Sequence, residues 1–595
     1  MNLRRLVRPA AIALAALVVL ALLASVLAGP FAASRVRALA RARGLELAWS
    51  RFDLRWPARA AFRDVVVRRT GGDDTLLTAS AAGATLRPLP LLALRVLPEL
   101  LSLDGVRLRL PGTRVADIDT LAPPGENGGP AVAPAVRQRA EALVRALFLP
   151  ARDLPRLRVS GVDVTRGGDS LFTLEALALD REGAATHLAL AGVYHGEDRV
   201  PFDALLRWQV DDRMTGRVQF EIPDPDNPRP KPLVLQFDGR VSQDLRAREL
   251  RVAEGSTLRI GDATGRVAGL VAAAGPRFRL DLALDGLSER TILASVPRVM
   301  LGPLAGLELL GTFDWHAGFD LDFAKPDSVS FHADVIPHGL TLDHALSRPS
   351  PAAIAGPFTA EIRLPRGRVA TRALAAHNPH YRPLPRISPY LRDAVITNED
   401  GGFWKHHGFN TEAIGLAIAA NLRAGSYKRG AGTITMQLAR NLWLGHRRTL
   451  ARKGQEAAMA WIVEHLTGLS KERILEVYLN VIEWGPDVHG ADEAARYYFA
   501  TDAAGLSLEE SLFLAIVVPS PSKWRWRFTP DGALRPFARA QMHFIANKMA
   551  SKGWLDPEQV PPADSLQVTL RGPARDLFAA PEAPEKGNGP HGIPM

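Results

Sequence analysis

The sequence predicts a multidomain chain of α and β structure: an N-terminal transmembrane helix, a β-rich region, and then a mainly α-helical domain. Three observations predict this order. They are a long apolar run near the N-terminus, period-two alternation of apolar and polar residues over about 45–370, and helix caps with helical periodicity beyond about 376. The 595 residues allow several domains, and 47% apolar with 23% charged residues is ordinary for a folded protein.

The composition excludes several classes of function. The chain has no cysteine, which excludes a disulfide scaffold, thiol catalysis and cysteine-ligated metal centres. Lysine and arginine number 73 against 63 aspartates and glutamates, a net charge of +10. Such an excess suits phosphate-bearing partners, whether nucleic acid, anionic lipid headgroups or a pyrophosphate substrate.

The predicted transmembrane helix spans 10–28, a run of 19 residues in which only Ser25 is polar. As a helix it would be about 28 Å long, close to the roughly 30 Å hydrocarbon core of a bilayer. Arg4, Arg5 and Arg8 precede it, which favours a cytoplasmic segment 1–9. The alternative is a cleaved signal peptide with a small-residue site at the end of the run. Both alternatives export the bulk of the chain.

The β-rich region is expected over 29–370. Alternation typical of strands recurs at 106–110, 218–222 and 278–284. One phrase half-repeats, at Leu103–Val106 and at Val159–Val162, and either a repeated β unit or coincidence accounts for it.

A membrane anchor followed by many amphipathic strands resembles the AsmA-like inner-membrane proteins, which carry large periplasmic β domains. A generic β-sandwich spacer is the alternative. This region shows no catalytic constellation in its sequence, so we expect the bond-forming chemistry to need only the helical domain.

The helical domain is expected over 371–560, followed by a Pro- and Gly-rich tail, 561–595, that we expect to be disordered. Capping residues and helix-stopping glycines mark its helices. The expected helices run from Pro389 to Glu399, Thr411 to about Gly425, Thr449 to Gly468, Lys471 to Asn480, from a Ser507–Glu510 capping box onward, and about Arg535 to Gly553.

Four segments of this domain carry candidate chemistry. The first joins an acidic pair, Glu399 and Asp400, to glycines, an aromatic residue and histidines. The second, Gly430–Asn441, places small residues, hydroxyls and amides at a helix start, where free N–H groups suit anions. The third, Arg452–Glu456, sets opposite charges one helical turn apart, and the fourth, Lys471–Asn480, is an amphipathic helix.

The stretch from Asn421 to Lys453 contains eight lysines or arginines and no acid. A basic surface held against anionic lipid is one explanation. The absence of any compensating acid favours the other, which is a site for a specific polyanion.

In this order, the segments resemble the motifs of the family 51 glycosyltransferases, the peptidoglycan glycosyltransferase domains of penicillin-binding proteins and of monofunctional enzymes. The first motif, E-D-x-x-F-x-x-H-x-G-x-D, is matched from Glu399 through Gly408 and ends at position 410. Residues 430–441 follow G-A-S-T-I-T-Q/M-Q-L-x-K-N, and 452–457 follow R-K-x-x-E-A. The resemblance covers about 380–555. The departures from the family pattern are Asn410 for Asp, Gly432 for Ser and Arg440 for Lys.

The resemblance implies a lysozyme-like, mainly α fold with a membrane-dipping subdomain. It implies polymerisation of lipid II into glycan strands by β-1,4 bond formation with inversion and release of lipid pyrophosphate. The implied catalytic residues are Glu399, as general base, and Glu456, which orients the cations or a metal or assists departure of the leaving group. The implied substrate-binding residues are Asp400, Phe403, His406, Gly408, Thr433, Gln437, Arg440, Asn441, Arg448, Arg452 and Lys453.

No cofactor is expected to be obligatory, and a divalent cation, Mg²⁺ or Mn²⁺, at Glu456 is the optional addition. The expected partners are lipid II, the growing lipid-linked glycan, the membrane and other envelope proteins, but no nucleic acid. Ser520–Lys523 matches Ser-x-x-Lys without the later transpeptidase motifs, so a monofunctional enzyme is expected. Its expected location is the bacterial inner membrane, single-pass, with the bulk of the chain in the periplasm.

Two alternatives belong to other classes. The first is a lytic enzyme of related fold that cleaves peptidoglycan, and the second is a degenerate, non-enzymatic envelope scaffold. The cationic stretch argues against the first, because a hydrolase of neutral glycan needs no pyrophosphate clamp. The presence of both Glu399 and Glu456 argues against the second.

Overall fold

The computed structural model describes most of the chain after residue 43. The predicted transmembrane helix at 10–28 lies outside the described residues. None of the helices in the described part is both long enough and apolar enough to cross a membrane. The described residues are 33–34, 36–38, 40–41, 44–55, 59–71, 75–87, 98–110, 137, 140–141, 155–166, 168–183, 185–196, 198–273, 275–364, 367–424, 430–445 and 450–579.

The chain divides into two compact units, one of 1–114 with 145–268 and one of 115–144 with 269–595. From residue 44 onward the described part of the first unit consists mainly of strands, which confirms the predicted β-rich region. Its strands pair with their neighbours in sequence and antiparallel, except that β2 pairs with β3 beside β1, and β5 and β6 run parallel. They are β1 (Leu45–Ala48), β2 (Arg51–Arg55), β3 (Arg59–Arg69), β4 (Thr75–Leu86), β5 (Pro98–Leu110), β6 (Arg156–Arg166), β7 (Asp169–Glu182), β8 (Ala185–His195), β9 (Arg199–Trp208), β10 (Arg213–Phe220), β11 (Leu233–Asp244), β12 (Glu249–Ile260) and β13 (Ala263–Ala272), which ends in the second unit.

The half-repeated phrase lies on the parallel pair β5 and β6. Leu103 is opposite Val159, so the two copies are in register. Gly105 and Gly161 both adopt positive φ, +60° and +61°, which is a backbone conformation that glycine tolerates. Each copy therefore interrupts its strand in the same way, which favours a repeated β unit over coincidence.

The second unit combines the predicted helical domain with three sets of antiparallel strands. Its strands are β14 (Arg277–Leu287), β15 (Leu309–Asp322), β16 (Ser330–Leu342), β17 (Phe358–Arg363), β18 (Val369–Leu374), β19 (Glu483–Gly485) and β20 (Val488–His489), and the three sets are β14 to β16 and the two separate pairs β17–β18 and β19–β20. Its helices are α1 (Glu289–Ser295), α2 (Arg298–Leu301), α3 (Pro389–Glu399), α4 (Thr411–Ala424), α5 (Ile434–Ala439), α6 (Leu450–Leu466), α7 (Lys471–Val481), α8 (Ala491–Phe499), α9 (Leu508–Val517), α10 (Pro536–Ser551) and α11 (Ala574–Ala579). A π-helical turn, Arg440–Leu444, follows α5, and 3₁₀ turns span Gly302–Gly306, Pro326–Ser328, Pro351–Ala355, Leu384–Arg386, Pro521–Arg527, Pro557–Gln559 and Ala563–Ser565.

Local capping explains why the helices begin where the sequence predicts. Ser470 accepts a hydrogen bond from the N–H of Arg473 at the start of α7. Ser507 and Glu510 form the predicted capping box of α9, each side chain bonded to the other residue's backbone N–H. Ser388 stands at the N-cap position of α3, although its hydroxyl donates instead to the carbonyl of Leu506.

The core of the helical domain extends into the region predicted as β-rich. Leu307, Leu340, Ile354 and Ile362 are each at most 8% exposed and belong to the same apolar cluster as the residues of α3, α7 and α9. The expectation that the bond-forming chemistry needs only the helical domain stays a prediction, but this shared core argues against a chain cut at 371. A chain cut at 371 would lose side chains that fill its own core, and each such loss costs about 2–5 kcal/mol.

The predicted disorder of 561–595 is wrong for its first part. Leu566 and Val568 are at most 8% exposed and pack in the same core. Arg571 donates its backbone N–H to the carbonyl of Tyr498, at 2.9 Å. This part is ordered because Leu566 and Val568 bury their side chains in the core, although the tail as a whole is rich in Pro and Gly. Residues 580–595 lie outside the described residues.

Candidate active site

The general base expected from the sequence, Glu399, is the last residue of α3. Its two carboxylate oxygens each accept one hydrogen bond from an amide. Asn398 donates through Nδ2 to Oε1 at 2.7 Å, and Gln437 donates through Nε2 to Oε2 at 2.9 Å. These two contacts fix the orientation of the carboxylate while leaving it partly accessible.

The surroundings of Glu399 make it a stronger base than an exposed glutamate. Burial raises its pKa, and the nearby charge of Asp400 adds to this effect. The hydrogen bonds from Gln437 and Asn398 and the charge of Arg440 oppose the rise without cancelling it. A raised carboxylate pKa is what proton abstraction from a hydroxyl near neutral pH requires.

Tyr478, on α7, positions the amide that holds Glu399. Its hydroxyl donates to Oε1 of Gln437 at 3.0 Å, which turns the amide NH₂ group towards Glu399. Tyr478 is fully buried, and that burial raises the pKa of its phenol well above 10, so it stays a donor. Sequence reasoning placed Tyr478 in the fourth segment without a role. The available signal was that the fourth segment follows the other three in the order found in the family.

Several predicted substrate contacts join the first segment to the second. The buried carboxylate of Asp400 accepts from Nε2 of His406, at 2.9 Å, and from the N–H of Ile434 at the start of α5, at 3.0 Å. Thr433 caps α5 and donates its hydroxyl to the carbonyl of Gly408, at 2.6 Å. These contacts fix the position of α5 relative to the end of α3, and so of Gln437 relative to Glu399.

Two other predicted contacts have packing roles in the fold. Phe403 has no exposed surface, and Nζ of Lys471 lies 4.4 Å from its ring centroid. Gly408 has φ +88°, and a Cβ there would lie 2.9 Å from the backbone N of Trp461 on α6. Only glycine allows this approach. Contact of either residue with substrate stays a prediction.

The third segment lies on the first turns of α6 and forms a compact ionic cluster. Glu456 is 1% exposed and pairs with Arg452 through Oε1 and with Nζ of Lys453 through Oε2, the latter at 2.8 Å. Burial lowers the pKa of Lys453 to about 8, and the charges of Arg440 and Arg452 contribute. Half of the Lys453 side chain nevertheless remains accessible to an anion.

Arg440 connects this ionic cluster to Glu399. It begins the π-helical turn, and its charge acts on both Glu399 and Lys453. Asn441 is buried beside it in the same turn. Arg448, predicted as a further cation of this site, lies outside the described residues.

Two of the departures from the family pattern have structural explanations. Asn410 accepts the N–H of Ala413 through Oδ1 at 2.9 Å, so it caps α4 as an aspartate would. At Gly432, a Cβ would meet only Nζ of Lys453, 4.0 Å away, which is ordinary contact. The backbone there could carry a serine without strain.

The surroundings of the Glu456 carboxylate do not suit a bound divalent cation. Both of its carboxylate oxygens face cationic side chains, Arg452 and Lys453, and a further dication beside them would be repelled. Elsewhere, ligand atoms of Asp285, Asp314 and His316 lie within 4.8 Å of one another on the β14–β15 pair. In that group Nε2 of His316 lies 2.8 Å from Oδ1 of Asp285, an ordinary partly exposed contact between two side chains.

Together these residues provide a carboxylate base of raised pKa with one cation, Arg440, within electrostatic range, and Arg440 in turn acts on Lys453, as does Arg452. Such an arrangement can take a proton from a hydroxyl and stabilise the negative charge of a departing anion.

Comparison with known proteins agrees with this geometry. A family model described as transglycosylase matches residues 366–550. A protein of Alcanivorax borkumensis is 41% identical over 181 residues, which is 30% of this chain and 71% of the relative. A Nitrosospira multiformis protein is 42% identical over 177 residues (30% and 74%), and one of Pseudomonas aeruginosa is 48% identical over 175 residues (29% and 71%). All three are named biosynthetic peptidoglycan transglycosylase. With matched segments that include both carboxylates and the cationic cluster, this chain belongs to the transglycosylase family.

Proposed function

We propose that this chain is a monofunctional peptidoglycan glycosyltransferase that polymerises lipid II into glycan strands in bacterial cell-wall synthesis. The observation that carries the proposal is the setting of Glu399. A carboxylate of raised pKa, held by two amides, lies within electrostatic range of Arg440, whose charge also reaches Lys453. The biosynthetic names of the relatives support the same reaction.

Glu399 accepts the proton in the bond-forming step. The 4-hydroxyl of the acceptor sugar on lipid II loses its proton to the Glu399 carboxylate while its oxygen attacks C1 of the growing glycan. The bond from C1 to the phosphate oxygen breaks, and the lipid pyrophosphate leaves with the bonding electron pair. Attack from the face opposite the leaving group inverts C1 and gives the β-1,4 bond.

The cations neutralise the charge that develops on the leaving group. In this proposal Arg440, Arg452 and Lys453 contact pyrophosphate oxygens, and the contact strengthens as the bond to C1 breaks. Their mutual electrostatic influence and the pairing of Arg452 and Lys453 with Glu456 support it. Glu456 pairs with Arg452 and Lys453 and holds both in one place. Its charge also offsets the repulsion between them when no substrate is bound.

We propose that these side chains do the work that a divalent cation does in other pyrophosphate sites. The pairing of both Glu456 oxygens with cations supports this proposal. Dialysis against a chelator should then leave the polymerisation rate within about twofold of the untreated rate, since no step depends on a bound metal.

Export and membrane attachment complete the proposal. A single-pass anchor at 10–28 in the inner membrane would keep the catalytic unit beside its lipid-linked substrates in the periplasm. Lipid II, the growing glycan and the membrane are the proposed partners, with other envelope proteins as further partners. A lytic enzyme would have no need of the cationic cluster around Glu456. A non-enzymatic scaffold would have no need of a carboxylate with the raised pKa of Glu399.

The test is incubation of the full-length protein with lipid II, followed by gel analysis of the glycan product. Glu399→Gln keeps the side-chain shape and removes the base, so the rate should fall by about 10²–10⁴-fold. Glu472→Gln is the matched control, because Glu472 is an exposed acid in the first turn of α7. Retention of more than about a tenth of the rate by Glu399→Gln would contradict the assignment of the base.

A further inference from the structure

The segment between β14 and β15 lies against the elements that carry the catalytic cations. It consists of α1, α2 and the 3₁₀ turn Gly302–Gly306. Its α2 and its 3₁₀ turn contact α6, and the 3₁₀ turn also contacts the π-helical turn that begins with Arg440. This segment comes from the region whose sequence predicted mostly β structure, and no catalytic motif includes it.

One buried side chain makes the polar contact between this segment and α6. Gln455 is 9% exposed, and its Nε2 donates to the carbonyl of Met300 at 2.6 Å. Gly302, with φ +54°, lies against the same amide. A Cβ there would be 3.0 Å from Nε2 of Gln455 and 3.3 Å from its Cδ. The amide is therefore enclosed between the helix and the segment.

The position of Gln455 in the sequence couples this contact to the chemistry. It stands immediately before Glu456 and two residues after Lys453, in the first turns of α6. A small rotation or shift of these turns would move Arg452, Lys453 and Glu456 together. Catalytic groups lose up to about a hundredfold in rate when they are displaced by about 1 Å.

Repulsion between the positive charges of the site acts against the packing of the π-helical turn on α6. Arg440 lies on the π-helical turn, whereas Arg452 and Lys453 lie on α6, and the positive charges of the two arginines act on Lys453. Their repulsion favours separation of the π-helical turn from α6. The segment that ends in the 3₁₀ turn touches both elements and so opposes that separation.

We propose that Gln455 is a positioning residue for the pyrophosphate-binding cations, and that the 289–306 segment acts through it to hold the first turns of α6 in place. This inference rests on the proposed function. It makes the insertion between β14 and β15 part of the catalytic apparatus, although it contributes no side chain to the reacting atoms.

The test compares full-length wild-type protein with Gln455→Met, which keeps the length and helix propensity of the side chain and removes its donor. We expect kcat to fall by about tenfold with KM within about threefold, because the lost interaction serves the transition state. Hydrogen exchange of the amides of 450–457 should accelerate in the variant. The control is Thr467→Val, at the residue that follows the C-terminus of α6. It removes a hydrogen bond of 2.5 Å from the Thr467 hydroxyl to the carbonyl of Val463.

A second variant keeps the test decisive if Gln455→Met is poorly stable. Gly302→Ala pushes on the amide from the other side and, at φ +54°, also strains its own backbone, so by itself it should lower both kcat and Tm. In the Gln455→Met background it should lower kcat by less than about twofold further, since both changes break one contact. A merely structural effect would instead be additive and would track the loss of Tm, as in Thr467→Val.

The outcomes separate the two proposals. If the wild-type protein makes no glycan polymer, the proposed function fails, and this inference fails with it. If the wild type polymerises lipid II and Gln455→Met turns over at the same rate, or exchanges its α6 amides no faster, the inference alone is overturned. Slower turnover with faster exchange confined to 450–457 would support it.

Discussion

Replacement of Lys453 by arginine should remove the alkaline limb of the activity profile. The pKa of Lys453 is lowered to about 8, chiefly by burial and further by Arg440 and Arg452. Its positive charge is therefore lost as the pH rises through about 8. An arginine keeps its charge throughout this range, because the guanidinium holds its proton far more strongly than an ammonium does.

The magnitude follows from the fraction of charged lysine in the free enzyme. With a pKa of about 8, half of the ammonium remains at pH 8 and about one part in eleven at pH 9. If the charged form is required, kcat/KM at pH 9 should be about a tenth of its plateau value, because this ratio reports the ionisations of the free enzyme. In Lys453→Arg the value of kcat/KM at pH 9, divided by its plateau value, should stay near one. The fork geometry of arginine can lower the plateau without changing that comparison.

The assay is initial-rate polymerisation of lipid II in neutral detergent micelles from pH 5 to 10, at constant ionic strength because salt screens exposed charges. Burial raises the pKa of Glu399, so the midpoint of the acid limb should lie above the pKa of an exposed glutamate. This midpoint should be unchanged in Lys453→Arg. An alkaline limb that keeps its midpoint in Lys453→Arg would refute the reasoning, as would a wild-type profile that stays flat to pH 9.5.

A fragment 269–579 should fold with a single cooperative thermal transition, whereas 371–579 should not, because the residues removed from its core are worth more than the roughly 5–15 kcal/mol stability of a domain; a cooperative transition in the shorter fragment would contradict the shared core. Gly432→Ser should keep or raise kcat, since its Cβ meets no atom closer than 4.0 Å and the hydroxyl restores a donor beside the cations; a fall of more than about tenfold would show that the space is needed. Lys428 belongs to the basic stretch Asn421–Lys453 but to none of the family motifs, so it serves as the comparison for a charge held only against lipid. Arg452→Ala should lower kcat far more than Lys428→Ala, because such a charge is worth only about 1 kcal/mol in binding; equal, small effects in micelles would refute the assignment of the cations to pyrophosphate.

The helices of the catalytic unit were predictable because their ends are encoded locally. Ser470 caps α7 and the Ser507–Glu510 box caps α9 within a few residues of chain, and the observed helices begin where these signals stand. The candidate acid–base and cationic residues were identified for a related reason. They stand in contiguous segments that resemble the family motifs, and only their meeting in space needed the fold.

Other features depend on contacts that no local pattern records. Helices α1 and α2 are seven and four residues long, too short for a periodic signal, although Ser288 caps α1 and Pro297 stands at the N-cap position of α2. The bond from Gln455 to Met300 joins residues 155 apart in the sequence and ends on a backbone oxygen, which any residue would supply. The order of 561–579 likewise comes from packing on a distant core.

The different roles of the two glutamates follow from their partners. Glu399 accepts from two neutral amides, which orient it without neutralising its charge, and burial then makes it a better proton acceptor. Glu456 faces two cations, which neutralise it and are in turn held by it. A base that contacted those cations directly would lose basicity, and a cation cluster without Glu456 would repel itself apart. Arg440 acts on Glu399 through charge without a hydrogen bond to it, so the two functions stay adjacent and separate.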